Sequence, residues 1–214
     1  MMPKDSSSRP PFVGQADDAV ERQREILGTG PRILPLRARE VGPEGLAIVA
    51  SLRKATGLDE AGEIPDVVAT LLRHPRLYEK HAAVGVALLG DGALSPRQRE
   101  LAVLRTAWLC GAPFEWGEHV AIAKRAGITS EEIERLARET RAADWNEIDR
   151  AIILAAEELY HNAMISDETW AVLSAHLEDR HLIELIYVVG HYTKVAYLQN
   201  ALRLSPGSEG LAAR

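Results

Sequence analysis

The sequence predicts an all-α fold. Three observations carry this. Apolar residues recur at helical spacing along most of the chain from residue 45 onward, and no stretch alternates with period two for long enough to require a sheet. Serine or proline starts and glycine ends also punctuate the periodic runs at helix length. About eight helices are expected, without a 20–50-residue repeat that would stack them into a solenoid.

The elements follow in order. Residues 1–16 are rich in Ser, Pro and Asp and are expected to be a mobile arm. Residues 17–60 are expected to be an N-terminal extension. Within it, 28–45 has Pro31, Pro35 and Pro43 with several glycines, which predicts an extended segment wrapping the domain, and 45–57 is a helix. The helical domain proper is expected over 61–205. Its periodic runs are 64–75, 76–90, 95–111, 130–139, 145–163, 166–177 and 181–202, with Gly111, Ala112 and Pro113 breaking the run from Pro96 so that two helices meet as a hairpin. Pro65 and Pro96 suit first-turn positions, and Gly57, Gly90 and Gly127 suit helix ends. Ser95 and Ser130 are expected N-caps, the latter followed by acids that favour the positive end of the helix dipole.

At 214 residues the chain suits one domain with an arm and can bury a sizeable core. Its 46% hydrophobic and 26% charged residues are ordinary for a soluble globular protein. A net charge of −6, with no basic run interleaved with aromatics, argues against a nucleic-acid surface. The opening residues lack the apolar core of a signal peptide, and no apolar run approaches the roughly 18 residues of a membrane span. A single cysteine excludes an intramolecular disulfide framework. The expected location is the cytoplasm, with no membrane partner.

Residues 109–120 read "LCGAPFEWGEHV". Glu115 and His119 are four apart and share a helix face, and an antiparallel hairpin can bring Glu100 back beside them. A carboxylate orienting an imidazole is the minimal unit of general acid–base catalysis. The same spacing is also common on exposed helices, so these residues alone leave both readings open. Glu118 reads as a solvated neighbour. Trp116 is a packing residue or a stacking surface for a ligand. Glu158/His161 and Glu178/His181 have Glu-x-x-His spacing, which carboxylate-bridged di-metal bundles use, but "HLEDRHL" reads as a turn between helices and no metal site is expected. His74, His81 and His176 are scattered, and His191 lies inside an apolar run. Cys110, with no basic neighbour in sequence, reads as a small buried hydrophobe.

Residues 94–136, through "RELAVLRTAW", "EWGEH" and "AGITSEEI" in this order and spacing, resemble the carboxymuconolactone decarboxylase family, which shares its fold with alkyl hydroperoxidase D. "ISDETWAVLSAHLEDRHLIELIYVVGHY" (165–192) looks like the second part of longer members. The resemblance covers about residues 60–203. It implies an alkyl hydroperoxidase D-like helical domain, homo-oligomers (trimers or hexamers) and, in the thiol peroxidase branch, a Cys-x-x-Cys pair between a Glu and a His. Aligned on Glu100 and His119, those thiol positions hold Ala112 and Glu115, so a disulfide cycle within one chain is not expected. The remaining branch implies a cofactor-free, decarboxylase-like lyase for a small carboxylated lactone or related cyclic acid. Glu100, Glu115 and His119 are then the expected catalytic residues, and Trp116, Arg99 and Arg105 are the candidates for binding substrate. A helical oligomer that keeps the fold without chemistry is the alternative.

Overall fold

The computed structural model describes residues 16–56, 62–138 and 145–204. Among them the chain is all-helical, with ten α-helices and one short 3-10 turn. In chain order these are α1 (Ala16–Leu27), the 3-10 turn (Ala38–Glu40), α2 (Pro43–Thr56), α3 (Asp66–Leu71), α4 (Pro75–Gly90) and α5 (Pro96–Leu109). They continue as α6 (Pro113–Arg125), α7 (Ser130–Arg138), α8 (Glu147–Asn162), α9 (Asp167–His176) and α10 (Asp179–Leu202). Residues 1–15 of the arm expected over 1–16, Gly57 and the tail from 205 lie outside the described residues, while Ala16 opens α1.

Helix α5 is the axis of the fold. A helix buried on all sides belongs at the centre of a bundle, and α5 buries Leu101, Ala102, Val103, Leu104 and Ala107 completely. It is surrounded by α6, α7, α8 and α10. Ile152, Ile153, Ala155 and Ala156 from α8, Leu173 from α9, and Leu185, Val188 and Tyr192 from α10 close the core around it. A second, smaller cluster (Val41, Ile48, Val49, Leu72 and Tyr78) joins α2 to α4.

Local chemistry fixes where α5 starts and stops. Ser95 Oγ accepts from the Gln98 N–H while Gln98 reaches back to the Ser95 N–H, forming a capping box with Pro96 at the first helical position. Glu184 of α10 accepts from the backbone N–H groups of Ala93 and Leu94, tying the approach to α5 onto α10. At the other end, Gly111 adopts φ 55°, its N–H donates to Trp108 O, and the Ala112 N–H donates to Ala107 O at 2.9 Å. This is a Schellman closure, which favours glycine because a side chain is strained at positive φ. Pro113 then opens α6 at once. Asn200 of α10 donates from Nδ2 to the carbonyls of Cys110 and Gly111, at 3.1 and 3.2 Å, pinning the turn from outside. The hairpin is therefore held at both ends by α10.

Four expectations are corrected. The run 64–75 is not one helix: α3 stops at Leu71, and His74 caps α4, its ring accepting from the Leu77 N–H. The cap of α7 is Thr129 rather than Ser130, because Thr129 Oγ1 accepts from the Glu132 N–H and Glu132 accepts from the Thr129 N–H. Pro65 is the N-cap of α3, outside its first turn. Finally, α1 was not anticipated. Its sequence "ADDAVERQREIL" is mostly polar, and Ile26 is the buried residue that seats it near α6 and α10.

An ion-pair knot staples three helices at the N-terminal end of α5. Arg97 donates to Asp149 of α8, from Nη2 at 2.8 Å and Nε at 3.0 Å, and to Glu132 of α7, from Nη1 at 3.1 Å. Both carboxylates raise the Arg97 pKa and hold it charged. Among the described residues no helix is long and apolar enough to cross a membrane.

Candidate functional site

Antiparallel closure of the α5–α6 hairpin brings Glu100 and His119, nineteen positions apart, back together. The result is a chain of buried polar groups. Arg99 Nε donates to Glu100 Oε1 at 2.9 Å, Glu100 Oε2 lies 2.7 Å from His119 Nδ1, and His119 Nε2 lies 3.2 Å from Glu115 Oε1. The far oxygen of Glu115, Oε2, accepts from Gln199 Nε2 of α10. Glu100 is completely buried, while Glu115 and His119 are each 5% exposed. Both imidazole nitrogens thus face a carboxylate, and the ring edge meets Tyr192 at 4.8 Å between centroids, nearly perpendicular.

The electrostatics follow from this geometry. Burial disfavours a charged imidazole, but the hydrogen bonds and charges of Glu100 and Glu115 outweigh it and raise His119 to about 9. At neutral pH the group is an imidazolium with Nδ1–H directed at Glu100 and Nε2–H at Glu115. Such an arrangement can donate a proton and receive it back without moving the ring.

The other candidate residues have structural partners. Arg99 supports Glu100 and reaches the Leu89 carbonyl at 3.4 Å. Arg105 is five positions beyond Glu100, about 140° further round the helix. It pairs with Glu157 of α8 at 2.7 Å and donates to the Leu136 carbonyl at 2.7 Å, which turns it away from His119. Trp116 packs against the main core and tilts onto Trp108 at 5.3 Å. Glu118 is exposed. Cys110 is buried, and burial pushes its thiol up to about 11, with a hydrogen bond to Thr193 acting the other way.

Neither Glu-x-x-His pair converges on a metal position. Glu158 instead accepts from the Ser166 N–H and hydroxyl and from Thr169, joining α8 to the cap of α9. Glu178 is the N-cap residue of α10, so Asp179 and Arg180 begin that helix rather than lying in a turn. Among the described residues no group of three or more His, Cys, Asp or Glu side chains is disposed to hold a metal ion.

Two features of the site were not visible in the sequence. Gln199 contributes the last link of the chain. His191 stacks flat on His81, 5.1 Å between centroids and 6° between planes, and its Nδ1 faces Lys194 Nζ at 3.3 Å. Because the ammonium group donates to Nδ1, the neutral ring carries its proton on Nε2, over Gly85, where a Cβ would stand 3.4 Å away. Burial, and after it the Lys194 charge, lower His191 to about 4 and keep it neutral. His81 in turn ends an apolar cavity of about 220 Å³ lined by Leu77, Tyr78, Leu198 and Leu202.

With the fold and this polar chain in view, comparison with known proteins becomes specific. A model of the carboxymuconolactone decarboxylase family matches residues 73–158, which contain all of α4 to α7 and the Glu100–His119–Glu115 group. Over this segment the chain resembles the carboxymuconolactone decarboxylase family. The helical architecture is also that of solved alkyl hydroperoxidase D-like proteins. A peroxidase-related protein from Ralstonia eutropha JMP134, with an alkylhydroperoxidase core, aligns with a TM-score of 0.66 at 20% identity, covering 83% of this chain and 94% of its own. A peroxidase-related protein from Silicibacter sp. TM1040 aligns at 0.65 and 18% identity, covering 79% and 87%. The debrominase Bmp8, as a cysteine-to-alanine variant in complex with 2,3,4-tribromopyrrole, aligns at 0.67 and 14% identity, covering 85% and 94%. At these identities the likeness concerns the fold. No curated protein matches the chain in sequence.

Proposed function

We propose that the protein is a decarboxylase-like lyase that acts on a small carboxylated lactone or related cyclic acid by general acid–base catalysis, without a cofactor. The observation that carries this reading is the imidazole of His119 bracketed through both nitrogens by Glu100 and Glu115. The chemistry asked of it is modest. As the carbon–carbon bond to the carboxylate breaks and carbon dioxide leaves, its electron pair delocalises into the unsaturated lactone as a dienolate. The lactone carbonyl is the electron sink, so no separate one is needed. The remaining task is to place a proton on carbon and steady the transient negative charge.

In this reading Glu100 holds the Nδ1–H and fixes the ring, with Arg99 holding Glu100. The Nε2–H is the transferable proton, and Glu115 passes it outward to the substrate carbon. His119 regains a proton from solvent to close the cycle. We likewise propose residues 61–205 as the unit that carries this chemistry, with 17–60 as an extension to it.

The test is direct. Wild-type protein is incubated with carboxylated unsaturated γ-lactones, and carbon dioxide release is followed together with the ultraviolet change at the conjugated system. His119→Gln and Glu100→Gln are assayed beside it. Carbon dioxide release that is lost in His119→Gln supports the proposal, and equal release by that variant rejects it. A second reading, a helical oligomer that keeps the fold without turnover, is favoured by one observation: protein carboxylates already occupy both nitrogens of His119. A carboxylated lactone that neither turns over nor raises the thermal midpoint favours that reading.

A further inference from the structure

We infer that Gln199 is a positioning residue of this site, holding Glu115 as the group through which the His119 proton is relayed. The inference deepens the acid–base reading above and rests on it.

The two oxygens of Glu115 are divided between two partners, His119 Nε2 on α6 and Gln199 Nε2 on α10. A carboxylate that must accept a proton and release it needs a neighbour that tolerates both states. A lysine or arginine there would trap the charged form, because it only donates. A primary amide has a donor at one end and an acceptor at the other, so it can donate to a carboxylate and, inverted, accept from a carboxylic acid.

The surroundings of Gln199 permit that inversion. The residue is 4% exposed, yet its Oε1 is buried without a hydrogen-bond partner among the described residues. Turning the amide over therefore breaks no second bond. Its backbone, in contrast, is fixed. The Leu204 N–H donates to the Gln199 carbonyl at 2.9 Å, as part of the left-handed closure of α10 at Arg203, φ 57°. The next residue, Asn200, anchors the α5–α6 turn through two carbonyls. One turn earlier, Ala196 is fully buried against Cys110 and Ala112, which seats this stretch of α10 close to the hairpin. A rigid backbone thus delivers a side chain with one satisfied end and one free end to the outer oxygen of Glu115.

The experiment follows the titration of His119 by ¹⁵N NMR in the full chain, with no substrate required. In the wild-type protein the midpoint is expected near pH 9. Gln199→Met keeps the volume and removes the donor, so Glu115 keeps more of its negative charge for the imidazolium, and the midpoint rises by on the order of one pH unit. Gln199→Glu keeps the shape and adds negative charge, which moves the midpoint up. A residue that merely fills space leaves the midpoint unchanged in Gln199→Met, and that result overturns the inference. Should Gln199→Met not fold, an unchanged midpoint in Gln199→Glu overturns it equally. The two levels fail separately: an inactive lactone screen leaves the titration result standing, and lactone turnover with an unmoved midpoint removes Gln199 alone.

Discussion

His119 Nδ1 lies 2.7 Å from Oε2 of Glu100, a carboxylate with no exposed surface at all. The pair joins α5 to α6 inside the core, and its charge state is coupled to folding. Burial alone would lower the pKa of His119, but the two carboxylates reverse the sign and bring it to about 9. The unfolded chain holds the same proton with a pKa of about 6.5. The folded protein therefore binds the proton more tightly, and the stabilisation is complete below about pH 6.5. It diminishes above that and is lost as pH rises through about 9, amounting to on the order of 3 kcal/mol. Urea unfolding at pH 6.5 and pH 9.5 is expected to show this loss, and a wild-type stability as high at 9.5 as at 6.5 contradicts it.

Glu100→Gln carries a sharper expectation. Glu100, itself fully buried, neutralises both Arg99 and His119, at 2.9 and 2.7 Å. Removing one member of a buried charge network leaves the others uncompensated, typically at about 3–5 kcal/mol. The variant should unfold at clearly lower urea while remaining helical by circular dichroism in the cold. His119→Gln strands the two carboxylates in the same way. Activity loss in either variant is therefore interpretable only at a temperature where the folded fraction has been measured. A Glu100→Gln protein as stable as wild type rejects this account of the pair.

Much of this was legible in the sequence, for local reasons. The Gly-Ala-Pro break, the N-cap at Ser95 and the nineteen-residue separation of Glu100 from His119 are short-range features. Together they determine a hairpin and its register. Gln199 was not legible, because eighty-four residues separate it from Glu115. Its rotation about α10 depends on packing against α5 and on the Asn200 anchor. Arg99 and Arg105 show the converse problem: a cation among apolar residues looks available in one dimension. In three, Arg99 backs the catalytic candidate, and Arg105 closes α5 onto α8. Helix α1 was not legible because, among its described side chains, Ile26 alone is buried in an otherwise polar segment.

Cys110 is expected to be chemically quiet. It is buried at the end of α5, and burial pushes its thiol up to about 11. The thiolate is the reactive species, so native protein at pH 7.5 should react with an aromatic disulfide reagent far more slowly than urea-unfolded protein. Cys110→Ser should leave peroxide consumption unchanged. Rapid labelling of the native thiol, or a peroxide activity abolished by the substitution, reverses this conclusion.

The last expectation concerns assembly and arises from α10. Ile183, Ile186, Tyr187 and Tyr197 are exposed large hydrophobic side chains spaced along one face of this 24-residue helix, while Leu185, Val188, Val189 and Tyr192 are buried on the other. A helix needs one apolar stripe to join its own core, and a second stripe facing outward is surface that a symmetric partner can cover. We propose that the protein is a homo-oligomer that buries this stripe, with Gly190 at its middle allowing close approach. Light scattering on the wild-type protein at micromolar concentration should give a mass of three or six chains. Ile183→Glu with Tyr187→Glu should shift it to the mass of one chain while circular dichroism stays helical, because neither side chain contributes to the core. A wild-type protein that scatters as a single chain excludes the assembly, and a double variant that stays associated moves the interface to another face.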